Sequence, residues 1–202
     1  MKVSSGRRAE LLDKIVDVML ESGVAELSLR PLADQVGASA RLLIYHFETK
    51  ESLIADALAA VRLRVGRAVK EHAARENPDT LAAALLMFWN WATAEPNQRY
   101  FRLLFEVDGL SMFDRLRFSE QTRQDGAKVW ISLIDSAAAR LGQDDDPFTG
   151  RSTLIMGALN GLLQDYLSTG DRARTTAALN QLMDLIDGER SQNRRIRTPS
   201  EA

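Results

Sequence analysis

The sequence predicts an all-α fold of about nine helices. Apolar residues recur every three to four positions along most of the chain, and the alternating Val, Ile and Thr pattern of strands is nearly absent. Gly, Pro and cap-forming residues punctuate the periodic runs where helices would start and stop. Leu11, Leu12, Ile15, Val16 and Met19 share one face of a first helix that Gly23 closes. Ser28 is placed to cap a short second helix, with Pro31 in the first turn, where a missing donor costs little, and Gly37 ends it. A third helix runs from about Ser39 to Phe47. Thr49 then caps a fourth, in which Leu53, Ile54, Ala57, Leu58 and Val61 keep the period.

The polar segment HAARENPD, residues 72–79, contains Asn77-Pro78, a stop followed by a start. The fourth helix is expected to run up to it unbroken. Beyond it, helices are expected near 79–94, 97–106, 110–141, 147–168 and 171–187, with Pro78, Pro96 and Pro147 at starts and Asn77 and Asp146 as N-caps before two of them. The domains are therefore expected at 1–70 and 71–189, with 190–202 a polar, locally basic, disordered tail.

The 202 residues are 45% hydrophobic and 27% charged, which suits one or two globular domains and excludes a disordered or fibrous chain. The net charge of -2 supplies no whole-molecule pull toward nucleic acid or anionic lipid, so any DNA contact has to be local. With no Cys there are no disulfides, thiol nucleophiles or thiolate metal sites. The opening MKVSSGRRAELLDKI has a basic start but no apolar h-region, and reads as the start of a mature chain. The longest apolar run, Leu81 to Trp89, is about half of the roughly 20 residues a membrane helix needs and reads as a buried helix.

Residues 28–50, SLRPLADQVGASARLLIYHFETK, have the anatomy of a helix-turn-helix, in which the second helix enters a major groove. Leu32, Ala33, Val36, Leu43 and Phe47 have the spacing of a small shared core. Arg41, Leu42, Ile44, Tyr45 and His46 then lie more outward. Leaving Ile44 and Tyr45 exposed is costly unless they read a thymine methyl or pack on the phosphate-sugar backbone. The basic residues of 1–50, Lys2, Arg7, Arg8, Lys14, Arg30, Arg41 and Lys50, are matched one for one by Glu10, Asp13, Asp17, Glu21, Glu26, Asp34 and Glu48. That balance predicts modest non-specific affinity. Lys2, Arg7 and Arg8 form a short basic arm, either reaching a groove or phosphate or simply solvated.

Over roughly residues 8–60 the sequence resembles the tetracycline-repressor (TetR) family of transcriptional regulators. The resemblance rests on Ile15, Val16, Gly23, Ser28-Leu29-Arg30, Leu32-Ala33, Val36-Gly37, Leu43, Tyr45-His46-Phe47 and Lys50-Glu51-Ser52-Leu53, with the block YHFETKESL the most specific. It implies that Ser28 and Arg30 anchor the second helix to the DNA backbone and that Ala40, Arg41, Ile44, Tyr45 and His46 face DNA. Lys50 would meet a phosphate beside the N-terminal N–H groups of the fourth helix. Arg41 either reads guanine through O6 and N7 or touches phosphate alone, the commoner contact. For His46, phosphate contact is preferred to metal ligation, since the only other histidine is His72. Arg41, Leu42 and Ile44 depart from residues common in the family, so no operator can be borrowed from a relative.

The C-terminal helices are apolar beyond the needs of one thin seam. Met87, Phe88, Trp91, Phe105, Trp130 and Ile134 are either plain core or the lining of a pocket for a small apolar or aromatic effector, which the resemblance implies. Leu154, Ala158, Leu159, Leu162, Tyr166, Ala178, Leu182 and Leu185 give the last two helices broad apolar faces, and Gly157 and Gly161 permit close packing. The resemblance implies a homodimer there through a four-helix interface, and such a dimer reads a palindrome. The expectation is thus a cytoplasmic, ligand-responsive regulator, a repressor, binding a double-stranded operator without metal or cofactor. An enzyme would have to rely on carboxylates such as Glu106, Asp108 and Asp144 to Asp146, and is not expected. The alternative is an all-α ligand carrier or scaffold without DNA binding, which the neutral N-terminal balance favours.

Overall fold

The computed structural model describes residues 2–142 and 150–197, and among these it has nine α-helices and no strand. They are α1 (Lys2–Ser22), α2 (Leu29–Val36), α3 (Ala40–Phe47), α4 (Lys50–Glu76), α5 (Leu81–Thr93), α6 (Glu95–Met112), α7 (Glu120–Arg140), α8 (Arg151–Thr169) and α9 (Arg172–Arg197). The acidic run Asp144 to Asp146, the expected cap at Asp146, Pro147 and residues 198–202 lie outside the described residues. Among the described residues no helix is long and apolar enough to cross a membrane.

Several boundaries differ from those expected. The helix expected over 110–141 is two pieces: α6 runs on through Gly109 to Met112, and α7 starts only at Glu120. Asp114 turns the chain at a φ of 55°, and the Ser119 hydroxyl accepts the Thr122 N–H at 3.1 Å to cap α7. Asn77, at a φ of 46°, lies between α4 and α5 instead of capping the latter. Thr80 does that, its hydroxyl accepting the Ala83 N–H at 3.1 Å. At the other end α9 continues through residues 190–197, because Glu189, Arg190, Gln192, Arg194 and Arg195 are good helix formers with no Gly or Pro among them.

The chain groups into two compact units, one of residues 1–72 and 95–133 and one of 73–94 and 134–202. Residues 95–133, assigned from sequence to the C-terminal domain, group with the first unit. In that unit Leu11, Ile15, Val16 and Met19 of α1 are buried, as are Leu32, Ala33 and Val36 of α2, Leu43 and Phe47 of α3, and Leu53, Ile54, Ala57, Leu58 and Val61 of α4. Arg64 of α4 binds Asp13 and Asp17 of α1 at 2.9 and 2.7 Å, fixing their relative rotation from the surface side.

A second tie fixes α6 against the end of α1. The Glu106 carboxylate accepts the backbone N–H of Val24 at 3.0 and 3.1 Å and that of Ala25 at 2.7 Å. Gly23 makes this approach feasible in two ways. Its φ of 73° suits glycine, and a Cβ there would stand 2.4 Å from a Glu106 carboxylate oxygen.

In the second unit Trp89 of α5 is fully buried among α5, α8 and α9, with Leu81, Leu85, Ile155, Leu163 and Leu179 also buried there. Its indole N–H donates to the Thr176 hydroxyl at 2.8 Å, which answers the one polar atom of an otherwise apolar side chain. Tyr166 lies 6.3 Å from the Trp89 ring and donates its hydroxyl to the Thr93 carbonyl at 3.3 Å.

Gly23→Ala meets both backbone strain and a steric clash. It is expected to lower unfolding stability by about 1–3 kcal/mol, measured by denaturant titration. An unchanged midpoint would show that Glu106 does not close on this turn.

Candidate nucleic-acid interface

The second helix of the helix-turn-helix is positioned by its buried side. Gly37, at a φ of 69°, supplies the left-handed turn after α2, and the Ser39 hydroxyl accepts the Leu42 N–H at 3.1 Å to start α3. Leu43 and Phe47, one turn apart, anchor α3 in the core. Those anchors force the opposite face outward, leaving Ile44 43% and Tyr45 74% exposed. Arg41 is exposed, while Ala40 and His46 are half-buried at the flanks. The His46 ring meets Tyr45 and Phe47 edge-on at 5.1 and 6.3 Å, so it steadies the exposed tyrosine from one side. Ser28 occupies the N-cap position of α2 without making a cap bond, and its exposed hydroxyl is open to another acceptor. Arg30 is exposed on α2, and Lys50 is the half-buried first residue of α4, next to the capping Thr49.

Part of the charge of this region is committed to ion pairs. Arg7 and Lys14 pair with Glu10, and Arg64 holds Asp13 and Asp17. Among the described residues Arg30, Arg41 and Lys50 have no ion-pair partner. Three cations are thus uncommitted on or beside the helix-turn-helix, as are the exposed acids Asp34 and Glu48 among the described residues. Arg8 is tied within the chain: its Nε donates to the His46 carbonyl at 3.2 Å, its Nη2 to Asp56, and its guanidinium sits 4.8 Å from the centre of the Phe47 ring. The sequence reading of a free basic arm fails at Arg7 and Arg8, because α1 begins at Lys2 and carries both into the helix.

The apolar candidates divide between the two units. Phe105 and Trp130 belong to the first, and Met87, Phe88, Trp91 and Ile134 to the second. All six are half-buried, which marks them neither as closed core nor as open surface. Phe88 and Trp91 lie 6.3 Å apart, and Trp130 lies 6.4 Å from Phe101. Of the eight dimer candidates, Leu154 and Leu185 are 54% and 68% exposed and Ala178 is exposed. Ala158, Leu162, Tyr166 and Leu182 are half-buried, and Leu159 is only 6% exposed, packed into its own unit.

The sequence pattern described as "Bacterial regulatory proteins, tetR family" matches residues 11–57, the segment that builds this helix-turn-helix and its supporting helices. The match is to that N-terminal segment, which is similar to the DNA-binding part of tetR-family regulators. The transcriptional repressor KstR2 of Rhodococcus jostii (strain RHA1) is 39% identical over 54 residues, a match covering 27% of this chain and 26% of that protein. The shared segment is thus about a quarter of the curated relative. Similar folds occur in a tetR-family transcriptional regulator from Rhodococcus sp. (TM-score 0.66, 21% identity, 91% of this chain and 97% of that one). They occur also in the multidrug binding protein EbrR complexed with imidazole (0.62, 23%, 88% and 89%) and in FadR from Bacillus subtilis in complex with stearoyl-CoA (0.55, 15%, 88% and 96%).

Two residues matter in ways that sequence periodicity did not show. Glu106, weighed from sequence only as a carboxylate for catalysis, is engaged by two backbone N–H groups 81 and 82 residues away. Arg8 braces the far end of α3. Neither contact carries a local signal, since each joins segments distant in the chain. Tyr45→Ala, at a ring open to solvent, is expected to leave stability within about 0.5 kcal/mol of the parent protein. Arg8→Ala should cost about 1 kcal/mol, its charged hydrogen bonds being discounted for partial exposure. Denaturant midpoints of the two variants check the pair, and a large loss at Tyr45 would place its ring inside the fold.

Proposed function

We propose that the chain is a ligand-responsive transcriptional repressor that binds a palindromic operator as a homodimer and releases it when a small apolar or aromatic effector binds. The single observation carrying this reading is α3, a helix that presents Ile44, Tyr45 and Arg41 to solvent while Leu43 and Phe47 hold it rigidly from behind. Exposed aromatic and branched apolar side chains beside an arginine suit base edges and thymine methyls. Arg30, Lys50 and the Ser28 hydroxyl suit phosphates, with Ala40 and His46 at the margins of the contact. Work on chromosomal DNA places such a protein in the cytoplasm.

Assembly through α8 and α9 is supported by Leu154 and Leu185, large apolar side chains left in solvent. Gly157, Gly161, Ala177 and Ala178 are exposed on the same two helices, allowing a second copy to approach closely. Ala158, Leu162, Tyr166 and Leu182 flank this surface. Leu159 serves the protomer's own packing. The effector acts only through unequal affinity for two conformations, and the half-buried Phe105 and Trp130, both of the first unit, are the proposed lining for it. Binding alone is required, so the protein is no enzyme in this reading.

The decisive experiment is selection of genomic duplex fragments by the purified protein at moderate salt, with sequencing of what is retained. An enriched palindrome is expected, and absence of enrichment would leave a ligand carrier without DNA binding. On the recovered operator, Lys50→Ala should lower the slope of log affinity against log salt by about 2 per dimer, one contact from each subunit. An unchanged slope would remove Lys50 from the phosphate contacts. The double variant Leu154→Glu and Leu185→Glu changes two exposed sites and should stay folded. It is expected to sediment as a monomer and to lose the full operator, and a surviving dimer would move the interface elsewhere.

A further inference from the structure

The first unit holds a charged group that the DNA-binding reading does not use. Arg62 extends from α4 toward α6 and α7 and is half-buried. Its Nε–H is closed off from solvent and makes no hydrogen bond. On α7, Gly126 is buried directly against it: a Cβ there would lie 2.8 Å from the Arg62 Nη2 and 3.1 Å from its Cζ. On α6 Asp108 supplies an opposite charge, whose attraction partly offsets the burial that pulls the guanidinium below its usual range. Asp108 is open to solvent along one side, yet burial pushes its carboxyl upward despite Arg62. Three helices thus converge on a guanidinium whose Nε–H has no acceptor and whose charge, among the described residues, is offset only in part.

The neighbouring turns are apolar. Phe105 stands one turn before Asp108 on α6, and Trp130 stands one turn after Gly126 on α7, with Phe101 against it at 6.4 Å. A polar end formed by residues 62, 108 and 126 is therefore continued by an aromatic stretch formed by 101, 105 and 130, all in one unit. Leaving a buried donor unpaired is costly, and a planar guanidinium is best satisfied by a carboxylate, which brings both charge and two acceptor oxygens. A neutral apolar molecule would cover the rings and leave Arg62 unanswered.

We infer that Arg62 is the anchor of an anion subsite, and that the effector is an amphipathic carboxylate whose head meets Arg62 while its apolar body lies along Phe105 and Trp130. This deepens the effector-controlled reading and rests on it. Asp108 acts as the competitor that an incoming carboxylate replaces at the guanidinium. Because Asp108 lies two residues from Glu106 on α6, the head group is held beside the helix that grips the turn after α1.

The test compares decanoate with decanamide, equal in length and differing in charge, as ligands of the full chain without DNA. Binding is read by tryptophan fluorescence and by the shift in unfolding temperature. The parent protein is expected to bind decanoate at least tenfold more tightly than decanamide. Arg62→Gln should abolish that preference, and Arg62→Lys should retain part of it. Should Arg62→Gln fail to fold with Asp108 left alone, the double variant Arg62→Gln and Asp108→Asn removes both charges and answers the same question. Equal binding of the two probes, binding of neither, or a preference that survives loss of Arg62 overturns the inference. The two readings fail separately. An Arg62-dependent preference in a protein that retains no genomic duplex would sink the regulator and keep the subsite, whereas operator binding without the preference would sink the subsite alone.

Discussion

The organisation of the first unit depends on a single carboxylate. Where α1 ends, the chain turns through Gly23 and leaves the N–H groups of Val24 and Ala25 without helical partners, and Glu106 accepts both. Charged hydrogen bonds of this kind are stronger than neutral ones, the part-buried bond to Val24 more so than the solvent-exposed one to Ala25. Separating α6 from this turn strands two backbone donors and a carboxylate together. The alternative is that α1 follows α6. Since α1 also carries Arg8, which grips the end of α3, a displacement of α6 would reach the exposed face of α3 through the body of α1.

The helix-turn-helix was legible in the sequence because its rules are local. Gly37 marks the turn, Ser39 and Thr49 sit three residues before the N–H groups they cap, and the spacing of Leu43 and Phe47 sets which side of α3 is buried. Once those two are inward, the outward position of Arg41, Ile44 and Tyr45 follows from helix geometry alone. The break between α6 and α7 was hidden for the complementary reason. No glycine or proline occupies residues 110–120, and the chain is turned there by Asp114, a residue type that adopts the left-handed region only when the surroundings favour it. The roles of Glu106, Arg8 and Arg62 were beyond reach of any pattern, because each partner lies more than 35 residues away and is specified by the fold.

Charge shows most clearly why a count along the sequence misleads. Residues 1–50 are neutral in sum, and that sum favoured a protein indifferent to DNA. In the folded chain, Glu10, Asp13 and Asp17 are engaged by Arg7, Lys14 and Arg64, the last supplied from outside the counted segment. Among the described residues Arg30, Arg41 and Lys50 have no such partner, and neither have Asp34 and Glu48. Within a Debye length of about 8–10 Å the field at a surface reflects the charges standing there and not the total, so a neutral segment can still present a cationic face.

The same arithmetic separates the two arginines of α4. Arg64 meets two carboxylates at the surface, where solvent screens the pair and limits its worth, and its purpose is to set α4 against α1. Two residues earlier, Arg62 points to a different side of the helix and into a partly desolvated environment, with Asp108 as its opposing charge among the described residues and an unfilled donor. A structural arginine at that position would be expected to have recruited acceptors for all its N–H groups, as Arg64 has for its outer two. An incompletely satisfied guanidinium is what a site completed by an incoming anion would leave behind. On α6, the helix that also carries Glu106, such intermittent completion would register as a change in the forces acting on the turn after α1.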